Sequence, residues 1–128
     1  NIAFTMEAAG REDKDIASDV PHVLELVGLG DKFWSFPHQL SSGEKQRVAI
    51  ARAIVNQPDI LIADEPTGNL DPINTFEVVQ IFKKINDIGT TVILTTHNKA
   101  VIDALGRRVI TLDGGRLVRD DKNGAYVL

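Results

Sequence analysis

Ile60-Leu61-Ile62-Ala63-Asp64-Glu65-Pro66 joins four consecutive apolar residues to two acids and a proline. A short, continuously apolar run of this kind is what a parallel strand buried on both faces carries. Two carboxylates at the end of such a strand are costly unless something positive or protic meets them. At the C-terminal edge of an open α/β sheet, that something is usually a ligand. Strands also finish in Asp or Glu simply because the chain turns into solvent, so the pair gains meaning only from what surrounds it.

On the N-terminal side, residues 44–56 carry Val48, Ala49, Ala51, Ala53, Ile54 and Val55 and are followed by Pro58, which predicts a helix ending before the proline. On the C-terminal side, Asp71-Pro72 opens a helix in which Val78, Ile81, Phe82, Ile85 and Ile88 mark one face, closed by Gly89. Residues 90–96 predict a second buried strand and residues 101–105 a short helix before Gly106. Residues 107–112 and 116–119 flank Asp113-Gly114-Gly115, a hairpin signal. Further upstream, Ile16, Val20, Val23, Leu24 and Val27 recur at helical spacing before Gly28, with Pro21 expected to bend or reset that helix. The apolar pattern already under way at residues 1–4 predicts that the chain begins inside a structural element. Strand, helix, strand, helix, strand makes an α/β protein with a helical portion at the front. The expected division is a helical part over residues 1–57 and an α/β part over residues 58–128.

At 128 residues and 43% hydrophobic content, the chain is about one domain long and can bury a core. It has no cysteine, which removes disulfides and thiolate chemistry and fits a reducing, cytoplasmic compartment. Acids outnumber bases by 18 to 14 and no basic block occurs, which argues against a nucleic-acid partner. The apolar runs are far shorter than the roughly 20 residues that cross a bilayer, so any work at a membrane requires another protein as anchor. The aromatics Phe33, Trp34 and Phe36 are expected in the core or, failing that, on a partner-facing loop.

Three further motifs accompany the acid pair. Leu40-Ser41-Ser42-Gly43-Glu44 contains a capping box, Ser41-x-x-Glu44, that starts a helix without any ligand. The same capped N-terminus also offers free amide protons and a positive dipole end to a phosphate. Gly68-Asn69-Leu70-Asp71 reads as a turn into an N-cap, with Pro72 at the first helical position. Thr95-Thr96-His97 puts a histidine at a strand end, where packing or capping is its commoner use. Arg47 and Arg52, on the helix after Glu44, read as a solvated face. Nowhere in the sequence does G-x-x-x-x-G-K-[ST] occur, the loop that cradles nucleotide phosphates.

In this order the four motifs resemble the ATP-binding-cassette (ABC) ATPases, over nearly the whole chain. The resemblance implies the C-terminal half of a P-loop NTPase fold: a parallel-sheet core with a helical subdomain and a C-terminal β-hairpin. It implies ATP and Mg²⁺ as ligands. Asp64 would orient the metal, commonly through water, and Glu65 would polarise the water that attacks the γ-phosphate. His97 would hydrogen-bond that phosphate. Leu40, Ser41, Ser42, Gly43 and Glu44 would form the signature segment that closes on ATP held by the opposite subunit. Gly68, Asn69, Leu70 and Asp71 would form the loop crossing the dimer interface. Ser42 stands where the family usually has glycine. Glu44 stands where it has glutamine, which brings a negative charge near a phosphate.

Asp64-Glu65-Pro66-Thr67-Gly68-Asn69-Leu70-Asp71 resembles the branch containing lipoprotein-release, macrolide-export and cell-division ATPases. Residues 1–10, Thr96-His97-Asn98-Lys99, and the segments 108–112 and 115–120 resemble the cell-division members. The resemblance implies a head-to-tail homodimer joined to a permease-like integral membrane subunit, at the inner face of the cell membrane. It places Phe33, Trp34 and Phe36 where such ATPases receive that subunit. It also implies a gap in the sheet centre, beside the strand ending at His97, where the strand entering the phosphate loop would lie. An isolated chain is therefore expected to bind nucleotide weakly, to rearrange, or to pair with another chain. The alternatives are a non-hydrolytic interaction module and a phospho-acceptor domain built on Asp64. The latter needs a further acid cluster and a later lysine, neither of which is evident.

Overall fold

The computed structural model describes residues 1–124. Helices α1 (Ile2–Ala8), α2 (Asp13–Leu26) and α3 (Ser42–Ile54) come first, with 3-10 turns at Gly30–Lys32 and Pro37–Gln39 between the last two. Strand β1 (Ile60–Asp64), helix α4 (Pro72–Asp87), strand β2 (Thr91–Thr95), helix α5 (Lys99–Leu105) and strands β3 (Val109–Asp113) and β4 (Arg116–Asp121) follow.

Helices α3, α4 and α5 start where the sequence supplies a side-chain cap. Asp71 accepts hydrogen bonds from the Ile73 and Asn74 amides at the start of α4, and Asn98 does the same for α5 through Ala100 and Val101. Helix α4 then repeats Val78, Ile81, Phe82 and Ile85 on one buried face. Against these pack Ile2 and Met6 of α1, Val20, Val23 and Leu24 of α2, Ile50, Ala51 and Ile54 of α3, and Leu61 of β1. One continuous core thus joins the helical front to the first strand. Helix α2 continues through Pro21 as one element, so the proline does not reset it. The ring costs one backbone hydrogen bond, and burial of Val20, Val23 and Leu24 on either side of it offsets that loss.

Strands β1 and β2 pair in parallel, with Ile60 opposite Thr91 and Asp64 opposite Thr95. They are not buried on both faces as their composition predicts. Leu61, Ala63, Val92 and Leu94 pack towards the helices, whereas Ile60, Ile62 and Ile93 point the other way, Ile62 with 70% of its surface exposed. The helices all lie on one side, and among the described residues nothing covers the second.

Strands β3 and β4 form a separate antiparallel hairpin. Gly114 and Gly115 both have positive φ, as the two-residue turn between them requires. Arg108 grips Asp120 with two hydrogen bonds of 2.7 and 2.6 Å across the hairpin. Among the described residues β2 and β3 do not pair, so the expected interruption of the sheet lies between them.

The aromatic loop also departs from a core assignment: Trp34 is 88% exposed, and Phe33 and Phe36 are exposed too. Phe33 meets Trp34 edge to face at 4.7 Å, so the rings pack on each other instead of on the core.

Candidate functional site

The first strand ends in an unusual backbone turn. Glu65 has φ of 44°, a left-handed conformation that a non-glycine residue rarely takes. Its amide still donates to the Thr95 carbonyl at 3.0 Å, as a continuation of the strand pairing, while its own carbonyl accepts from Gly68 at 3.1 Å. The turn swings the Glu65 side chain sideways, over the end of β2. There its Oε1 accepts from the His97 backbone amide at 3.0 Å and lies 2.6 Å from His97 Nδ1. These hydrogen bonds, that from the ring first among them, hold the Glu65 carboxyl below the ordinary glutamate range. A carboxylate accepts only, so Nδ1 carries the proton of this contact. Nε2 is left facing outward, because the His97 side chain is largely exposed.

Asp64, one residue earlier, faces Thr95 directly across the ladder and accepts a hydrogen bond from its hydroxyl through Oδ1. Among the described residues no group of three or more acids or histidines could hold a metal ion. Mg²⁺ is commonly bound by one or two carboxylates together with waters and phosphate oxygens, and Asp64 could serve as one such carboxylate.

The start of α3 faces the same region. Ser41 is its N-cap: Oγ accepts from the Glu44 amide at 3.2 Å, and Glu44 Oε2 accepts from the Ser41 amide at 2.9 Å. The Ser41 amide depresses the Glu44 carboxyl, and Lys32 Nζ stands 3.7 Å from its other oxygen. The negative charge at this position is thus turned back onto its own helix end and a lysine. Ser42, Lys45 and Gln46 of α3 share a cleft of about 260 Å³ with Glu65, Gly68, Asn69 and Leu70. A larger hollow, about 370 Å³, is lined by Ile54, Asp59, Ile85 and Thr90 at the opposite ends of the strands, away from Glu65.

Asp71 caps α4 with Oδ1, and its Oδ2 accepts from the Asn74 side-chain amide at 2.5 Å. That amide is the main reason the Asp71 carboxyl lies below the ordinary aspartate range. The carboxylate is turned into its own helix.

The sequence motifs thus meet as follows: Glu65 with His97, Asp64 with Thr95, and the α3 start with the loop from Glu65 to Leu70. Arg47 is not on a solvated face; it is mostly buried and reaches Glu77 of α4 at 3.4 Å, whereas Arg52 is exposed. Lys32 and Asn74 lie outside every sequence motif, and Thr95 lies inside one whose sequence gives no hint of its bond to Asp64. Thr95 is visible only once strand register is known. Asn74 had a local signal, since it lies three residues after a capping aspartate.

The ABC transporter family pattern matches residues 3–68, just over half of the chain. This chain belongs to the ABC transporter ATPase family. Across 126 residues it is 52% identical to the "Cell division ATP-binding protein FtsE" of Streptococcus pneumoniae and 50% identical to that of Bacillus subtilis, in each case over 98% of this chain and 55% of the relative. It is 46% identical over 121 residues to the "Methionine import ATP-binding protein MetN 2" of Pectobacterium atrosepticum, covering 94% of this chain and 36% of that protein. Among solved structures, CbiO1 of Clostridium perfringens, part of the ABC transporter complex cbiONQ, superposes with a TM-score of 0.87 at 28% identity. The superposition covers 96% of this ABC ATPase chain and 49% of CbiO1. The chain spans about half the length of the curated relatives it matches. The fold is accordingly the C-terminal part of an ABC ATPase, with its α/β core, front helices and terminal hairpin.

Proposed function

We propose that this chain is the signature-bearing portion of an ATP-hydrolysing subunit that drives a membrane complex in bacterial cell division. The helical part (residues 1–57) and the α/β part (residues 58–128) belong to one partial catalytic domain, and the core they share supports that union. ATP contributes the phosphoanhydride bond that water cleaves, with Mg²⁺ offsetting the phosphate charge. Glu65, kept ionised by His97, orients the attacking water by accepting from it. With Nδ1 committed to Glu65, His97 donates to a phosphate oxygen through Nε2 when the ring is protonated. Asp64 would hold Mg²⁺, through water, where the ion would offset phosphate charge. The α3 start, Leu40 to Glu44, donates its free amides to the γ-phosphate of a nucleotide on the opposite subunit. Residues 68–71 cross that interface in a head-to-tail homodimer.

The partner is an integral membrane subunit of the permease type, FtsX-like. It seats the ATPase at the inner face of the membrane, and the exposed aromatic loop around Trp34 suits that contact. Among the described residues no helix is long and apolar enough to cross a membrane, which is in keeping with anchorage through a partner. Lipoprotein-release and macrolide-export systems are the related assignments within the branch. The observation that carries the proposal is the 2.6 Å contact of Glu65 with His97 at the ends of two paired parallel strands.

The test is phosphate release by the protein in which these residues are joined to a phosphate-loop segment. Glu65→Gln is expected to abolish turnover while ATP binding persists. Turnover at the wild-type rate in that variant would overturn the assignment.

A further inference from the structure

Gly43 is the buried residue of the signature segment, and the reason lies on another helix. A Cβ built on it would stand 2.0 Å from Asn74 Oδ1, 2.4 Å from Asn74 Cγ and 3.0 Å from Asn74 Cβ. No atom fits there, so the start of α3 is in direct contact with the Asn74 side chain. Ordinarily the far end of a side chain can swing away from such a clash. Asn74 cannot do so freely, because its Nδ2 donates to Asp71 Oδ2. Moving the amide releases that carboxylate. Gly43, Asn74 and Asp71 are therefore links in one contact chain from the signature segment to the crossing loop, although Gly43 and Asp71 are well separated in sequence.

The geometry points to Asn74 as a positioning residue that ties the Asp71 carboxylate to the location of the signature segment, so that the two interface motifs of one subunit shift together. The roles of those two motifs rest on the function proposed above, whereas the mechanical link between them does not. Asp71 keeps its capping bonds to the Ile73 and Asn74 amides when the Asn74 side chain is lost, so helix α4 survives and the carboxylate alone gains freedom. Displacement of the signature helix towards α4 has the same effect as deletion of the amide, because both remove the bond to Oδ2. In the other direction, a ligand that draws on Asp71 pulls Asn74 away from Gly43 and leaves room for α3 to move.

The experiment is a carbon-detected titration of the Asp71 carboxyl by NMR in the 128-residue chain, for the wild type and for Asn74→Ala, Gly43→Ala and the double variant. Asn74→Ala is expected to move the Asp71 titration upward, towards an ordinary aspartate. Gly43→Ala, with Asn74 intact, is expected to move it in the same direction, and the double variant no further than Asn74→Ala alone. A wild-type Asp71 titration in folded Gly43→Ala, or additive shifts in the double variant, would overturn the coupling. Should Gly43→Ala fail to fold, Asn74→Gln serves in its place: with Gly43 unchanged, the longer side chain must press on α3 or release Asp71. Changes in the Gly43 and Glu44 amide signals or an upward move of the Asp71 titration are then expected, and the absence of both counts against the link. In the protein joined to a phosphate-loop segment, Asn74→Ala is expected to lower kcat with KM for ATP within about twofold of wild type; unchanged kcat refutes the positioning role. Titration shifts as expected, with no ATPase activity even in the wild type, would instead count against the proposed function.

Discussion

Ser41 has two roles in this account, and substitution can separate them. Its Oγ accepts from the Glu44 amide at 3.2 Å, and its own amide donates to Glu44 at 2.9 Å, so it satisfies backbone donors that α3 otherwise leaves open. Replacing it with alanine removes the Oγ acceptor, a loss of about 1 kcal/mol, with about 0.5 to 2 seen for such caps. In a chain of this size that corresponds to a fall of roughly 3 to 6 °C in Tm. Aspartate caps about as well as serine, so Ser41→Asp is expected to stay within about 0.5 kcal/mol of wild type. It places a negative charge where the phosphate is proposed to sit. Urea unfolding of the 128-residue chain measures the first effect, and ATP turnover in the protein joined to a phosphate-loop segment measures the second. The expected pattern is that Ser41→Ala loses stability and activity, while Ser41→Asp keeps stability and still loses turnover. If Ser41→Asp turns over ATP like wild type, the α3 start does not face a phosphate. If Ser41→Ala unfolds at the wild-type urea midpoint, the cap contributes nothing.

Ile85 is fully buried on the inner face of α4, within the core that joins the helical front to β1. Ile85→Ala is expected to cost about 2 to 5 kcal/mol by urea unfolding, and a loss below 1 kcal/mol would mean that α4 is not packed as described. Stability is also expected to fall in acid. Glu65, Glu44 and Asp71 are all held below their ordinary values, by the His97 ring, the Ser41 amide and the Asn74 amide respectively. The unfolded chain therefore binds protons more readily than the folded one in that range. The contribution is complete above the ordinary carboxylate pKa of about 4 and is lost as pH falls towards the lower folded values. Urea midpoints at pH 6 and pH 3 check the sign, and a higher midpoint at pH 3 would contradict it.

Much of this architecture was legible because local signals and tertiary demands agree. The capping box places α3 within two residues, Asp71-Pro72 fixes the start of α4, and the paired glycines after Asp113 fix the hairpin. Burial was less legible, because it depends on what lies opposite. Ile62 and Ile93 are apolar as a strand covered on both faces requires, yet the helices all pack on the other side. The same limit applies to Trp34, whose surroundings are not encoded in its neighbours. In the site, Glu65 and His97 were identifiable as residues, but their contact depends on a left-handed turn at a glutamate and on strand register, neither of which has a one-dimensional signature. Glu44 carries a charge that composition alone sets against a phosphate. Only the side-chain geometry shows that charge engaged by the Ser41 amide and Lys32.

Isothermal titration of ATP with Mg²⁺ into the 128-residue chain, with and without a separately prepared phosphate-loop segment, bears most directly on whether these residues form one edge of a shared nucleotide site. Micromolar affinity corresponds to about 8 kcal/mol and millimolar to about 4. The amides and lysine of a phosphate loop are the groups expected to supply the difference. No micromolar binding is expected from the chain alone, and it is expected to appear when the segment is added. Micromolar binding by the chain as a monomer would contradict that expectation.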